Sequence, residues 1–106
     1  LEAGGSRSIP IPYDANTSVL DQLLPEINGL LLPGGSNNVL PDSVRYLLER
    51  IQLSNQRSSE NYLPVWGTCL GFEYLLMHFG NLTTLSSGYK AENVSLSLEH
   101  VVPEEF

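Results

Sequence analysis

The sequence predicts an α/β protein built on a parallel sheet, and three observations lead to this prediction. Apolar runs of strand length alternate along the chain with segments whose apolar residues recur at helical spacing. The run at 30–32 consists of three leucines, which is typical of a parallel strand covered on both faces. Glycine-rich turns follow the runs at 30–32 and 63–66, at the strand ends where α/β proteins carry their functional loops.

Length and composition are typical of a small globular domain. The chain has 106 residues, enough for one domain, of which 42% are hydrophobic and 16% charged. Its formal net charge of −7 disfavours nucleic acid and anionic membrane surfaces as partners, because both repel an acidic protein. No apolar run approaches the roughly 18–20 residues that a membrane span needs.

The cysteine and histidine content argues against metal sites. A single cysteine, Cys69, forms neither an intrachain disulfide nor a thiolate cluster. The two histidines, His78 and His100, have no neighbours at the spacing of metal ligands. We therefore expect no structural metal.

The amino-terminal segments predict short elements. Residues 1–5 have the pattern of a last helical turn closed by glycine, which suggests that the chain begins inside a domain. Residues 8–13 are apolar but contain two prolines, so they fit the start or the edge of a strand. Residues 19–27 predict a short helix that Pro25 ends or bends. Three polar residues are available as its N-cap: Asn16, Thr17 and Ser18.

The remaining elements alternate between strands and helices. After the strand at 30–32, residues 41–54 predict a helix, and residues 55–61 form a polar linker. The inward face of that helix is Val44, Leu47, Leu48 and Ile51. A buried strand at 63–66 then leads to an amphipathic helix at 72–79.

The carboxyl-terminal part changes character. Residues 82–85 and 94–102 alternate apolar and polar side chains around Ser86-Ser87-Gly88. This pattern predicts a β-hairpin or two edge strands.

The chain's only cysteine lies in the pattern of a nucleophile elbow. Gly67-Thr68-Cys69-Leu70-Gly71 joins the predicted strand to the predicted helix, and its glycines permit a turn too tight for larger residues. At a helix N-terminus, unpaired N–H groups and the helix dipole favour the thiolate, which is the nucleophilic form. A lone cysteine is more often a small buried hydrophobe, but the flanking glycines favour the elbow here.

Attack on an amide carbonyl also needs donors for the developing oxyanion. Gly34-Gly35 ends the strand at 30–32 and exposes two bare backbone N–H groups. The N–H of Leu70, directly after the cysteine, is the natural second donor. Two glycines alone would indicate a plain turn, and the elbow on a neighbouring strand is what favours an oxyanion hole.

The two motifs together resemble the γ-glutamyl hydrolase family, cysteine peptidases of the class I glutamine amidotransferase-like superfamily. The similar segments are residues 27–36, which contain Leu30-Leu31-Leu32-Pro33-Gly34-Gly35, and residues 64–73, which contain Trp66-Gly67-Thr68-Cys69-Leu70-Gly71 and end in Phe72-Glu73. Residues 9–14 also match, so the likeness runs from the amino terminus to about residue 85. The superfamily generally has glutamine four positions after the cysteine, whereas this family has glutamate, as Glu73 is here.

The resemblance implies a role for each site residue. Cys69 would be the nucleophile, Gly35 and Leu70 the oxyanion hole, and Gly34 and Glu73 substrate-binding residues. The implied reaction is hydrolysis of γ-glutamyl bonds in folylpoly-γ-glutamates through an acyl-enzyme, without a cofactor. A homodimer is also implied.

The resemblance further implies an incomplete fold. Residues 1–106 would be part of a class I glutamine amidotransferase-like domain with flavodoxin-like layering and a C-terminal β-hairpin, without the half that holds the catalytic histidine. The family's base lies in a Trp-His-Pro-Glu-like motif that this sequence does not contain. His78 lies roughly 13 Å along the elbow helix from Cys69 at 1.5 Å per residue. His100 precedes Pro103-Glu104 at the wrong spacing, so both histidines are expected to be surface or partly packed side chains.

Three tripeptides match the N-glycosylation pattern, beginning at Asn16, Asn81 and Asn93. They agree with the lysosomal or secreted location that the resemblance implies.

Three hypotheses about function follow. The first is that the chain is part of a γ-glutamyl hydrolase. The second is a truncated, inactive paralogue that binds a ligand or a partner protein, which the missing base motif favours. The third is a glutaminase domain of the amidotransferase type, which Glu73 disfavours.

Overall fold

Two parallel strands and three α-helices make up the described part of the chain. The computed structural model describes residues 1–37, 39–58, 60–90 and 93–97. The elements are α1 (Thr17–Leu23), β1 (Leu30–Leu32), α2 (Asp42–Arg57), β2 (Val65–Gly67) and α3 (Leu70–Phe79). The strands pair in parallel, with Leu30 opposite Val65 and Leu32 opposite Gly67. The predicted α/β class with a parallel sheet is therefore confirmed.

The amino-terminal elements largely follow the sequence. Gly5 closes a short 3-10 turn in the left-handed conformation, with φ 84°. The Asn16 side chain caps α1 by accepting a hydrogen bond from the Val19 N–H at 3.0 Å. Pro25 falls in a 3-10 turn directly after α1, so the predicted early end of the helix is confirmed. Residues 8–13, in contrast, form no strand, and the C=O of Pro12 instead closes a turn with the N–H of Ala15.

One face of the sheet is covered and the other is open within the described residues. Leu30 and Leu32 point into the core, whereas Leu31 is 39% exposed and its strand neighbour Trp66 is 69% exposed. The expectation that 30–32 is covered on both faces and that 63–66 is buried is therefore wrong for this part of the chain. A run of leucines reports apolar character, but it does not report which elements are present to cover it. The core consists of Leu20, Leu30, Leu32, Leu40, Leu47, Leu48, Ile51, Leu70, Tyr74 and Met77.

Helix α2 continues to Arg57, three residues beyond its predicted end. The side chain of Asn55, which lies in this extension, makes two hydrogen bonds with the backbone of Leu63. Its Oδ1 accepts from the Leu63 N–H at 2.8 Å, and its Nδ2 donates to the Leu63 C=O at 3.0 Å. The helix thus holds the segment that enters β2.

The predicted C-terminal hairpin is not confirmed. Residues 82–90 and 93–97 form no strand, and residues 98–102 of the predicted second strand lie outside the described residues. Leu85 instead packs partly against the core. No helix in the described part of the chain has the length and apolar character that crossing a bilayer demands.

The connection between β2 and α3 is a tight turn with Cys69 at its second position. The C=O of Thr68 accepts a hydrogen bond from the N–H of Gly71 at 2.9 Å. Cys69 has φ 53° and ψ −117°, close to the values at the same position of a type II′ turn, which glycine normally occupies. A residue with a side chain is strained there by roughly 1–3 kcal/mol.

The two glycines around the turn allow close backbone contacts. A Cβ on Gly71 would overlap the carbonyl oxygen of Leu32. A Cβ on Gly67 would lie 2.5 Å from the carbonyl oxygen of Gly71 and 2.7 Å from the N–H nitrogen of Phe72. The first turn of α3 therefore rests directly on the backbones of both strands.

We predict that Gly71→Ala destabilises the fold by about 3 kcal/mol, because the added methyl overlaps backbone atoms that cannot rotate away. Urea denaturation followed by circular dichroism measures the effect. Gly4→Ala is the matched control, since a Cβ on Gly4 meets no atom within 4 Å. Equal unfolding midpoints for the two variants would contradict the close contact between α3 and β1.

We also predict that Cys69→Gly is more stable than Cys69→Ala by about 1 kcal/mol, because only glycine relieves the strain at positive φ. Both variants remove the thiol, so the difference isolates the backbone. The same urea denaturation measures it. A Cys69→Ala variant as stable as Cys69→Gly would show that the turn is unstrained.

Candidate active site

Cys69 is exposed at the N-terminal end of α3. Its carbonyl oxygen begins the helix by accepting hydrogen bonds from the N–H groups of Phe72 at 3.0 Å and Glu73 at 3.1 Å. The backbone of Cys69 is thus fixed by the helix, while its thiol remains accessible to a reagent or a substrate.

The loop that follows β1 lies against the cysteine. A Cβ built on Gly34 would be 3.3 Å from the Cβ of Cys69 and 3.7 Å from its Sγ. A Cβ built on Gly35 would be 3.1 Å from the Cδ2 of Leu70. The structure therefore brings together Gly34, Gly35, Cys69 and Leu70, four residues that the sequence analysis singled out.

Two backbone donors at this junction are not used by the backbone. Within the described residues, the N–H groups of Gly35 and Leu70 donate to no backbone carbonyl. Both belong to segments that contact Cys69, and Leu70 opens α3, where N–H groups have no partner within the helix. Such N–H groups can donate hydrogen bonds to a substrate oxygen that carries negative charge.

Glu73 lies one turn into α3 and is exposed. A carboxylate in the first turn of a helix interacts favourably with the helix dipole. The neighbouring Tyr74 is buried in the core, and this burial, with a smaller contribution from the Glu73 carboxylate, raises the pKa of the Tyr74 phenol. Tyr74 therefore stays neutral and packs as a core residue.

The structure brings no histidine to Cys69 within the described residues. His78 is in the last turn of α3, where its Nε2 lies 3.2 Å from Oε1 of Gln52 on α2. Its ring also packs edge-on against Phe79, with the centroids 5.0 Å apart. His78 is thus a partly packed side chain, as expected, while His100 lies outside the described residues.

One contact at the site was not predicted. The indole Nε1 of Trp66 donates a hydrogen bond to Oγ1 of Thr68 at 3.1 Å, directly before the cysteine. Trp66 lies in β2 and Thr68 directly follows the strand. Residues two apart along an extended backbone share a face, so this spacing is a signal available in the sequence.

The three glycosylation-pattern asparagines are exposed. Asn16 uses its side-chain oxygen to cap α1, whereas Asn81 and Asn93 adopt positive φ angles of 50° and 56°. Among the residues that the structure describes, no three His, Cys, Asp or Glu side chains gather as a metal site would require.

Comparisons with known proteins agree with one another. The Peptidase C26 family model matches residues 1–100. The gamma-glutamyl hydrolase of Rattus norvegicus is 38% identical over 91 residues, which is 82% of this chain and 29% of the relative. The Mus musculus gamma-glutamyl hydrolase is 39% identical over 102 residues, 92% of this chain and 32% of the relative.

A relative of lower sequence identity also matches most of this chain. Gamma-glutamyl hydrolase B of Dictyostelium discoideum is 30% identical over 102 residues, 92% of this chain and 29% of the relative. The chain thus spans roughly a third of the length of these proteins. No solved structure matches it. The family match over residues 1–100 and these identities show that the chain belongs to the peptidase C26 family.

Proposed function

We propose that the chain carries the nucleophile and the oxyanion-binding loops for hydrolysis of γ-glutamyl bonds, with Cys69 as the nucleophile. One observation carries the proposal: an exposed cysteine occupies a turn position that suits glycine, and it lies against the Gly34-Gly35 loop, where the N–H of Gly35 donates to no backbone carbonyl of the described residues. Such strain costs roughly 1–3 kcal/mol and is found mainly at functional sites. Acyl transfer needs both an accessible thiol and nearby donors.

The proposed reaction begins with attack of the Cys69 sulfur on the carbonyl carbon of a γ-glutamyl amide. The carbonyl oxygen becomes an oxyanion that accepts hydrogen bonds from the N–H groups of Gly35 and Leu70. The C–N bond then breaks, the amine leaves with a proton, and a thioester remains on Cys69. Water attacks the thioester, releases the γ-carboxylate and restores the thiol.

The proton that leaves the thiol must reach the departing amine, and this transfer needs a base. His78 does not suit this role, because it contacts Gln52 at the opposite end of α3 from Cys69. We therefore assign the attack and the stabilisation of the oxyanion to the described residues. We do not assign the proton transfer to them.

The substrates that we propose are folylpoly-γ-glutamates. Glu73 and Gly34 would contact the glutamyl group, since one lies one turn from Cys69 and the other lies against it. The names of the relatives support a γ-glutamyl substrate. The proposal that this substrate also carries a folate group follows from the family resemblance. We also propose that residues 1–106 form part of a class I glutamine amidotransferase-like domain.

We further propose a lysosomal or secreted location. Three exposed asparagines in glycosylation patterns support it: Asn16, Asn81 and Asn93. A homodimer, which the resemblance implies, stays a prediction.

A chromogenic ester tests the proposed role of Cys69 without requiring the base. The p-nitrophenyl ester of the glutamate γ-carboxyl releases p-nitrophenolate, which leaves as an anion and takes no proton. We predict a burst of about one equivalent per chain, as for accumulation of an acyl-enzyme, and none from Cys69→Ala. Stopped-flow absorbance measures the burst, and mass spectrometry locates the acyl group.

The isomeric ester of the α-carboxyl is the matched control substrate. The proposal requires the γ-ester to react faster. Equal rates for both isomers would indicate an exposed thiol without γ-glutamyl recognition, and a burst that persists in Cys69→Ala would exclude Cys69 as the nucleophile.

Binding without turnover is a second candidate function, favoured by the position of His78 away from Cys69. The two candidates differ in whether Cys69 reacts. A burst that is faster with the γ-ester supports the hydrolase, whereas saturable binding of a folylpoly-γ-glutamate without any burst supports the binding protein.

We also predict that Gly34→Val slows the burst about tenfold, because misplacement of reacting groups by about 1 Å can cost more than that. The methyl groups of valine would press on Cys69, whose Cβ lies only 3.3 Å from the Cβ position of Gly34. Gly4→Val is the control, since its site is open. An unchanged burst rate in Gly34→Val would argue against contact between the loop and the reacting thiol.

A further inference from the structure

Trp66 is the only tryptophan of the chain, and within the described residues it lies outside the core. Its side chain is 69% exposed, on the sheet face opposite the core. The polar contact that it makes is the hydrogen bond from Nε1 to Oγ1 of Thr68, at 3.1 Å. A tryptophan indole has one N–H donor, and here that donor points towards the residue preceding Cys69.

Thr68 connects the parts of the candidate site. Its N–H donates to the carbonyl oxygen of Leu32 at 3.0 Å, at the point where β1 gives way to the Gly34-Gly35 loop. Its own C=O accepts from Gly71 at 2.9 Å and closes the turn around Cys69. With the bond from Trp66, three hydrogen bonds hold the residue before the nucleophile.

A strained turn persists only where its surroundings hold it. If Thr68 moved, Cys69 could relax from φ 53° towards negative values, and its side chain would turn away from the glycine loop. The backbone bonds of Thr68 restrain its peptide groups, and the indole bond restrains its side chain in addition.

We propose that Thr68, held by the indole N–H of Trp66, is a positioning residue that keeps Cys69 in its strained conformation against the Gly34-Gly35 loop. Neither side chain takes part in bond making. The effect on reaction rate rests on the proposed function, whereas the effect on the turn does not.

The test compares Thr68→Val, which keeps the shape and removes the acceptor, with Thr68→Ser, which keeps the hydroxyl. Trp66→Phe removes the donor from the other side, and Thr84→Val, at an exposed threonine elsewhere, is the control. Amide hydrogen exchange reports on the turn through the Gly71 N–H, with the Leu82 N–H at the far end of α3 as an internal reference.

We expect the Gly71 N–H to exchange about tenfold faster in Thr68→Val and in Trp66→Phe, while Thr68→Ser, Thr84→Val and the Leu82 N–H stay at native rates. The burst from the γ-ester should slow about fivefold in the same two variants, with its half-saturating concentration unchanged. The double variant should be no slower than either single variant, because both remove one bond.

Two results would overturn the proposal: native exchange at Gly71 in Thr68→Val, or additive effects of the two substitutions. A native chain that shows no burst would refute the proposed function alone. The exchange rates would still decide the role of Thr68.

Discussion

The contact between Gly71 and the carbonyl group of Leu32 determines where α3 lies, and the rest of the site depends on it. With no side chain between them, the first turn of the helix rests on the backbone of β1. The same carbonyl oxygen accepts the hydrogen bond from Thr68. The end of β1 and the start of α3 therefore meet at one point, and the loop after β1 begins beside Cys69.

Stability and reactivity oppose each other at this junction. Glycine would suit the turn best, yet the position holds the one residue of the chain with a nucleophilic sulfur. The strain of roughly 1–3 kcal/mol is a sizeable part of the roughly 5–15 kcal/mol by which domains are stable. A conformation that costs this much is expected where accessibility of the side chain matters more than stability.

Local patterns predicted the parts of the fold that local geometry determines. The spacing of Gly67, Cys69 and Gly71 indicated the elbow, and Asn16 and Pro25 marked the limits of α1, because caps and turns depend on a few neighbouring residues. The extension of α2 depends on the contact from Asn55 to Leu63, which spacing alone does not report. The apolar pattern does not predict the exposure of Leu31 and Trp66, because burial depends on elements distant in the sequence.

The pairing of Asn55 with Leu63 has a consequence for how the chain can vary in length. The carboxamide of Asn55 imitates a peptide group and anchors the backbone at Leu63, six residues before Cys69. Insertions or deletions between the end of α2 and Leu63 leave this anchor and the elbow in place, as surface connections commonly allow. A single residue added between Leu63 and Cys69 would turn every following strand side chain to the opposite face. Relatives with an intact elbow should therefore differ in length before this anchor and keep a constant length after it.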